Sequence, residues 1–410
     1  MFKMLITHGM LFSLSKSIVF ITPLFAASLL TTESYGLLEW SLSLSMLIAT
    51  LVSFAAGNTI AFEMVKNKDS AMIHIGKMYS VYLGMFLIIL SFIIGVFFNE
   101  VAGTILAMSS FLVIQYALSA YIKASGLGAR ASIVDSGIYT VLLCLLLLIW
   151  FNNEAFPSYI EGFLIATVFL SVYLYLIMDT VVAINNKKII AFFIRGLPVM
   201  TAGGCAILFF NMPRLLLGSE SMLLVGEFSL YFRWAAIAIT IHQFLIVVFF
   251  RNIYTASHEV FDKIIGGVVI SVFLLGFIII LILDFIEEYN IQNIPLSGQN
   301  VSIQVSMVAI VALWALSASL EGLLYREGKS IHQVWANLIG IIALFIFSYF
   351  FINKDNVIYL MTIIWLIAFV AIIFYQLSII NKFISKGNLF LINWIFASIV
   401  VITIILLLVI

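Results

Sequence analysis

The segment Phe20–Trp40, FITPLFAASLLTTESYGLLEW, and the segment Phe210–Leu230, FNMPRLLLGSESMLLVGEFSL, decide the reading of this chain. In each, a proline sits inside an apolar run, a short polar passage follows, and a glycine precedes the next apolar run. One offset of 190 residues places Phe20, Pro23, Gly36 and Thr50 on Phe210, Pro213, Gly226 and Thr240. The same offset separates the first apolar segment from the seventh, as a duplicated six-helix unit requires. Tyr35 with Gly36, and Gly226 in the second copy, are expected to turn the chain into the following helix.

Working outward, apolar runs bounded by polar residues mark helices at 8–30, 38–62, 78–98, 102–122, 132–151 and 159–184. A second set falls at 196–217, 228–250, 264–283, 301–323, 333–352 and 357–380, and a further apolar run covers 389–410. Each is about twenty residues or longer, the length at which an α-helix crosses roughly 30 Å of hydrocarbon and far longer than a barrel strand. With 64% hydrophobic and 9% charged residues in 410, the chain holds more apolar side chain than a soluble core could bury. The expected fold is an all-α polytopic membrane protein with twelve core transmembrane helices in two six-helix bundles, residues 1–190 and 191–385. Residues 386–410 add an apolar helix that either crosses a thirteenth time or lies along the interface.

The first thirty residues carry signal-like features, Lys3 before an apolar run and Ala26, Ala27 and Ser28 after it. Lys16 interrupts that run, which favours a retained first span. Basic residues retained on the cytoplasmic side during insertion set orientation. Before the first helix and after each even-numbered one stand Lys3; Lys66, Lys68 and Lys77; Lys123 and Arg130; Lys187, Lys188 and Arg195; Arg251 and Lys263; Arg326 and Lys329; Lys382 and Lys386. That is fifteen of the nineteen basic residues, so the amino terminus is expected in the cytoplasm.

Cys144 and Cys205 lie in apolar segments without metal-ligand spacing and read as packing residues. No phosphate-binding loop or nucleic-acid motif is present, and no cofactor site is expected beyond coupling to H⁺ or Na⁺. All loops are short. The longest outer one, Asp284–Asn300, leaves no room for a soluble catalytic domain.

Three basic residues remain inside spans: Lys16, Arg214 and Arg233. A charged residue near a helix centre costs about 2.5–3.5 kcal/mol on insertion scales, so each should face a partner or a watery cavity. Arginine forks bind diphosphate bidentately; interfacial snorkelling, or pairing with Glu220 or Glu227, is the structural alternative. Asp135 shares a stripe with Ser132, Ser136, Tyr139 and Thr140 and is a candidate for ion coupling, with pairing to Lys123 or Arg130 as its alternative. Asp179, Glu39 and His242 are the other ion-coupling candidates, His242 because imidazole titrates near neutral pH. Trp40, Trp150, Trp234 and Trp365 are expected in interfacial aromatic belts.

The proline-bearing first helix followed by SYGLLEW at Ser34–Trp40, and NMPRLLLGSESMLLVGEFSLY at Asn211–Tyr231, resemble the polysaccharide-exporting branch of the multidrug/oligosaccharidyl-lipid/polysaccharide flippase superfamily, in particular the O-antigen flippases. The resemblance extends over the twelve-helix topology. Family members often carry an acidic residue before the arginine of helix seven, where this chain has Asn211, Met212 and Pro213. The resemblance implies two bundles around a cationic cavity, alternating access, and residence in the bacterial inner membrane. It implies an undecaprenyl-diphosphate-linked oligosaccharide as substrate, held by Lys16, Arg214 and Arg233 while its tail stays in membrane lipid, and a polysaccharide polymerase as partner. An O-antigen polymerase or membrane glycosyltransferase, and an ion-coupled multidrug-type exporter, are the alternatives.

Overall fold

The computed structural model describes residues 2–64, 69–152, 159–177, 186–245, 256–288, 300–351, 356–383 and 389–409. Its regular structure there is entirely helical: α1 (Phe2–Leu29), α2 (Thr32–Val52), α3 (Ala56–Phe62), α4 (Ser70–Phe97), α5 (Glu100–Ala124), α6 (Gly128–Asp135), α7 (Gly137–Asn152) and α8 (Tyr159–Ile177) come first. They are followed by α9 (Asn186–Glu220), α10 (Met222–Ala236), α11 (His258–Glu288), α12 (Val301–Arg326), α13 (Ser330–Phe351), α14 (Val357–Phe383) and α15 (Phe390–Val409). Twelve helices among the described residues are long and apolar enough to cross a membrane, taking α10 together with its helical continuation to Leu245, and counting the bent pair α6–α7 as one span makes thirteen. The protein is a multi-pass membrane protein.

The chain forms two compact units. The first is Met1–Leu29 with Leu38–Ile207; the second is Leu30–Leu37 with Leu208–Ile410. In the first, α5 is the central helix, 78% buried over its apolar window, and in the second α12 takes that place at 72%. Both are rich in Ala and Ser on their buried sides, including Ala107, Ser109, Ser110 and Ala117 in α5 and Ala309, Ala312, Ala315 and Ser317 in α12. Lipid tails are as apolar as leucine, so small side chains that allow close helix approach, rather than apolarity, drive such packing.

Three sequence expectations are corrected. Tyr35, Gly36 and Gly226 are not in turns: Gly36 lies inside α2 and Gly226 inside α10. Each glycine is a point of close helix approach, since a Cβ on Gly36 would stand 1.8 Å from the Met222 carbonyl oxygen. Helix two is not continuous over 38–62: it stops at Val52 and resumes at Ala56, with Phe54 and Ala55 both left-handed at φ 46° and 55°. Trp365 is not interfacial but fully buried, surrounded by Phe210, Phe228, Phe232 and Phe369 at 5.6–5.7 Å between ring centres.

The terminal run forms α15, which belongs to the second unit and packs on α11 and α12. The buried Asp262 carboxylate accepts from the Leu391 and Ile392 N–H groups at 2.9 and 2.8 Å, satisfying two of the donors that a helix start leaves open.

Candidate functional site

The site of the first unit lies where two of its helices are broken. The first break separates α2 from α3. Two consecutive non-glycine residues in the left-handed region cost about 1–2 kcal/mol each, so the neighbours must hold them. Tyr79 does so by donating to the Val52 carbonyl at 2.6 Å, and the Phe54 ring sits edge-on to Tyr79 and Phe193. On α9, Gly196 comes so close to the Phe54 carbonyl that a Cβ there would stand at 2.3 Å.

The second break bends α6 against α7 by 46°. Gln115 of α5 is inserted into it: its amide donates to the Asp135 carbonyl at 2.9 Å and its oxygen accepts the Ile138 N–H at 3.0 Å. A side chain entering the helical ladder is a recognised cause of a kink. Its consequence is that Asp135 ends one half-helix and is fixed there by its own backbone. Helix α1 is laid alongside, with Ser15 donating to the Ser132 carbonyl and Thr22 to the Tyr139 carbonyl.

Between the two breaks is a cavity of about 300 Å³ whose polar lining is Thr50, Ser53, Asn58, Tyr116, Ser119, Lys123 and Asp135. Lys123 Nζ stands 2.8 Å from Asp135 Oδ2, and Ser119 donates to Asp135 Oδ1. Thr50 donates to the Met46 carbonyl at 2.8 Å. Lys16, half-buried on α1 with its ammonium 5.5 Å from the Phe12 ring centre, is within electrostatic reach of both Asp135 and Lys123. The Lys123–Asp135 pair therefore stands beside a wall of hydroxyls and an amide. Discontinuous helices with polar groups at their broken ends are how membrane transporters build ligand and ion sites.

Of the residues singled out in the sequence, Lys16 and Asp135 lie on neighbouring helices of the first unit, and Asp135 is paired with Lys123. Arg214 and Arg233 lie in the second unit and are buried, at 3% and 9% exposure. Arg214 Nε donates to Ser229 Oγ at 2.9 Å, and its guanidinium lies over the Phe232 ring, 4.8 Å from the centre. Glu39 is buried in α2. His242 is buried and its Nε2 shares a hydrogen bond with Ser319 Oγ at 3.0 Å. Asp179 lies outside the described residues. The second unit also buries an amide chain, in which Gln376 donates to Gln333 and Gln333 to Asn337.

The sequence reading overlooked Gln115, Ser119, Tyr116 and Asn58; it named Lys123 as a loop charge and as one of two pairing partners for Asp135, and the structure forms the Lys123 pair. Gln115, Ser119 and Lys123 recur every four residues on α5, a polar stripe along an otherwise apolar helix, and that periodicity is the signal which marks them.

Among solved structures, the chain is similar to an inward-facing multidrug resistance MATE family transporter of the MOP superfamily, with TM-score 0.59, 14% identity, and 92% of this chain and 96% of that one covered. It is also similar to an outward-facing transporter of that description, with TM-score 0.55, 14% identity and coverage of 91% and 94%. A MATE structure in complex with MaL6 aligns at TM-score 0.56 and 14% identity over 92% and 96%. No protein-family model matches the chain, and a search of curated proteins gives no match. The class that the architecture defines is a MATE-like fold, built here by a chain with little sequence in common with those transporters.

Proposed function

We propose that the protein is a flippase that moves undecaprenyl-diphosphate-linked oligosaccharide, the repeat unit of O-antigen or a related polysaccharide, across the bacterial cytoplasmic membrane by alternating access. The observation that carries this reading is the first-unit cavity, where Lys123 pairs with Asp135 next to the hydroxyl and amide groups of Thr50, Ser53, Asn58, Tyr116 and Ser119, with Lys16 on the adjoining α1. Ammonium groups suit a phosphate, and hydroxyls with an amide suit a sugar. The MATE-like fold supports a carrier without ATP chemistry. Asp135, placed at the end of a half-helix, is the residue at which H⁺ or Na⁺ couples to the cycle. Arg214 and Arg233 would join the substrate only in a state that opens their packing. The amino terminus lies in the cytoplasm, and a polysaccharide polymerase takes up the product on the other side.

The test is purified protein in liposomes carrying lipid-linked oligosaccharide on one leaflet. Transfer to the other leaflet that is lost in Lys16→Gln with Lys123→Gln supports the reading; no transfer above protein-free liposomes contradicts it. The second reading, an ion-coupled multidrug exporter, is favoured by the multidrug transporters that share the fold. It predicts that cells expressing the chain gain drug resistance without any lipid-linked sugar pool.

A further inference from the structure

This inference rests on the reading above and concerns how the same site takes its ligand. We propose that Asp135 is a tethered counterion, which a diphosphate group displaces from Lys123 when it enters the first-unit cavity.

Four features of the site lead there. The Lys123–Asp135 pair is accessible, with 53% and 40% of the two side chains exposed. Exposed pairs are worth about 0–1 kcal/mol, so the ammonium exchanges one anion for another at little cost. Asp135 has other anchors: Ser119 donates to its second oxygen, and Gln115 holds its carbonyl at 2.9 Å. The carboxylate thus stays in place when Lys123 turns away, and the exchange needs only the movement of one flexible four-carbon stem.

Charge and position point the same way. Asp135 ends α6, where the helix dipole disfavours a carboxylate, so it draws a cation to itself. Lys16 lies on α1, which packs against α6, is in electrostatic reach of both partners and makes no ion pair among the described residues. Two basic residues around one acidic one fit an anionic group of phosphate chemistry, offered either by a polyprenyl diphosphate or by a water-soluble diphosphate.

The experiment uses the full chain in lipid nanodiscs, titrated calorimetrically with inorganic diphosphate in one arm and undecaprenyl diphosphate in the other. Asp135→Asn removes the competing charge and keeps the shape, so diphosphate is expected to bind about threefold to fivefold tighter, the equivalent of an exposed ion pair. Lys123→Gln is expected to bind about tenfold weaker, and Lys123→Arg to restore wild-type affinity. Tightening in both arms assigns the site to the headgroup alone; tightening only with undecaprenyl diphosphate assigns it to the lipid-borne form. Equal or weaker binding by Asp135→Asn in both arms overturns the counterion, as does wild-type affinity in Lys123→Gln. Liposomal transfer of lipid-linked oligosaccharide, scored separately, stands or falls on its own. Failed transfer with the expected affinities rejects the transport reading and keeps the site, whereas normal transfer with unchanged affinities does the reverse.

Discussion

Gly36 and Gly226 make one reciprocal crossing of two helices. A Cβ on Gly36 would stand 1.8 Å from the Met222 carbonyl oxygen, and a Cβ on Gly226 would stand 2.2 Å from that of Thr32. The 190-residue offset carries Gly36 onto Gly226 and Thr32 onto Met222, so each contact is the image of the other. Self-complementary pairing of this kind is what two copies of one element make when they meet about a two-fold axis. The absence of a side chain at both positions is therefore a requirement of the crossing, because the clashing atoms are backbone and cannot rotate aside.

Gly36→Ala and Gly226→Ala should each destabilise the protein by about 1–3 kcal/mol, the usual cost of overpacking. Thermal unfolding in detergent should show both lowered, with Gly267→Ala unchanged, since a Cβ at Gly267 meets nothing within 4 Å. Equal melting of all three variants would mean that α2 and α10 do not meet in this way.

Gln115→Leu should deprive the Asp135 carbonyl and the Ile138 N–H of a partner that each has now. A buried backbone group left unsatisfied costs about 1–3 kcal/mol. The expected outcome is lower thermal stability together with loss of the proposed transport, as Asp135 moves relative to Lys123. Wild-type transport in a folded Gln115→Leu protein would show that the α6–α7 break does not position the site.

Much of the framework was legible because its cause is local. Thirteen apolar stretches long enough to span a bilayer announce themselves in composition, and among the described residues each coincides with a helix, or in one case a bent pair of helices, long and apolar enough to cross. The breaks were not legible, because their causes lie elsewhere in the chain. Nothing in LVSFAAGN tells that Tyr79 will cap Val52 or that Gly196 will admit the Phe54 carbonyl, and no proline or glycine occupies 53–55 to announce a stop. Likewise Asp135 was recognised as polar in an apolar segment, while its setting depends on Gln115, twenty residues away. Trp365 was misplaced for a related reason: depth along a helix can be read from sequence, but the side of the helix that meets other aromatics cannot.

Asp262→Ala should release the start of α15 by removing both acceptors at Leu391 and Ile392. The loss is about 0.5–2 kcal/mol, typical of a helix cap. Hydrogen exchange at Leu391–Trp394 should quicken in that variant and much less in Asp262→Asn, which keeps an acceptor. Unchanged exchange in Asp262→Ala would mean that packing on α11 and α12 alone fixes the helix.

Asp69 caps α4 and binds Lys188 of α9 through both oxygens, at 2.9 and 3.1 Å. The hydrogen bond from Lys188, with help from the Met72 and Ala71 N–H groups, holds its carboxyl below the usual carboxylate range. A depressed folded-state value means that the stabilisation is fully present above the unfolded value, near pH 4, and is lost as pH falls through the folded one. Wild type should therefore melt higher than Asp69→Asn by a constant margin from pH 8 to about pH 5, and the two should converge below about pH 4. A margin that persists at low pH would rule out the ionised carboxylate as its source.

The most direct test of the transport account is made in cells that lack this chain and keep the early glycosyltransferases: the amount and the leaflet of undecaprenyl-diphosphate-linked oligosaccharide. The account predicts that complete units accumulate on the cytoplasmic leaflet and that no polymer forms, with recovery on return of the wild-type chain and not of Lys16→Gln with Lys123→Gln. Single units on the outer surface, reaching it unpolymerised, would contradict the account and mark the protein as a polymerase.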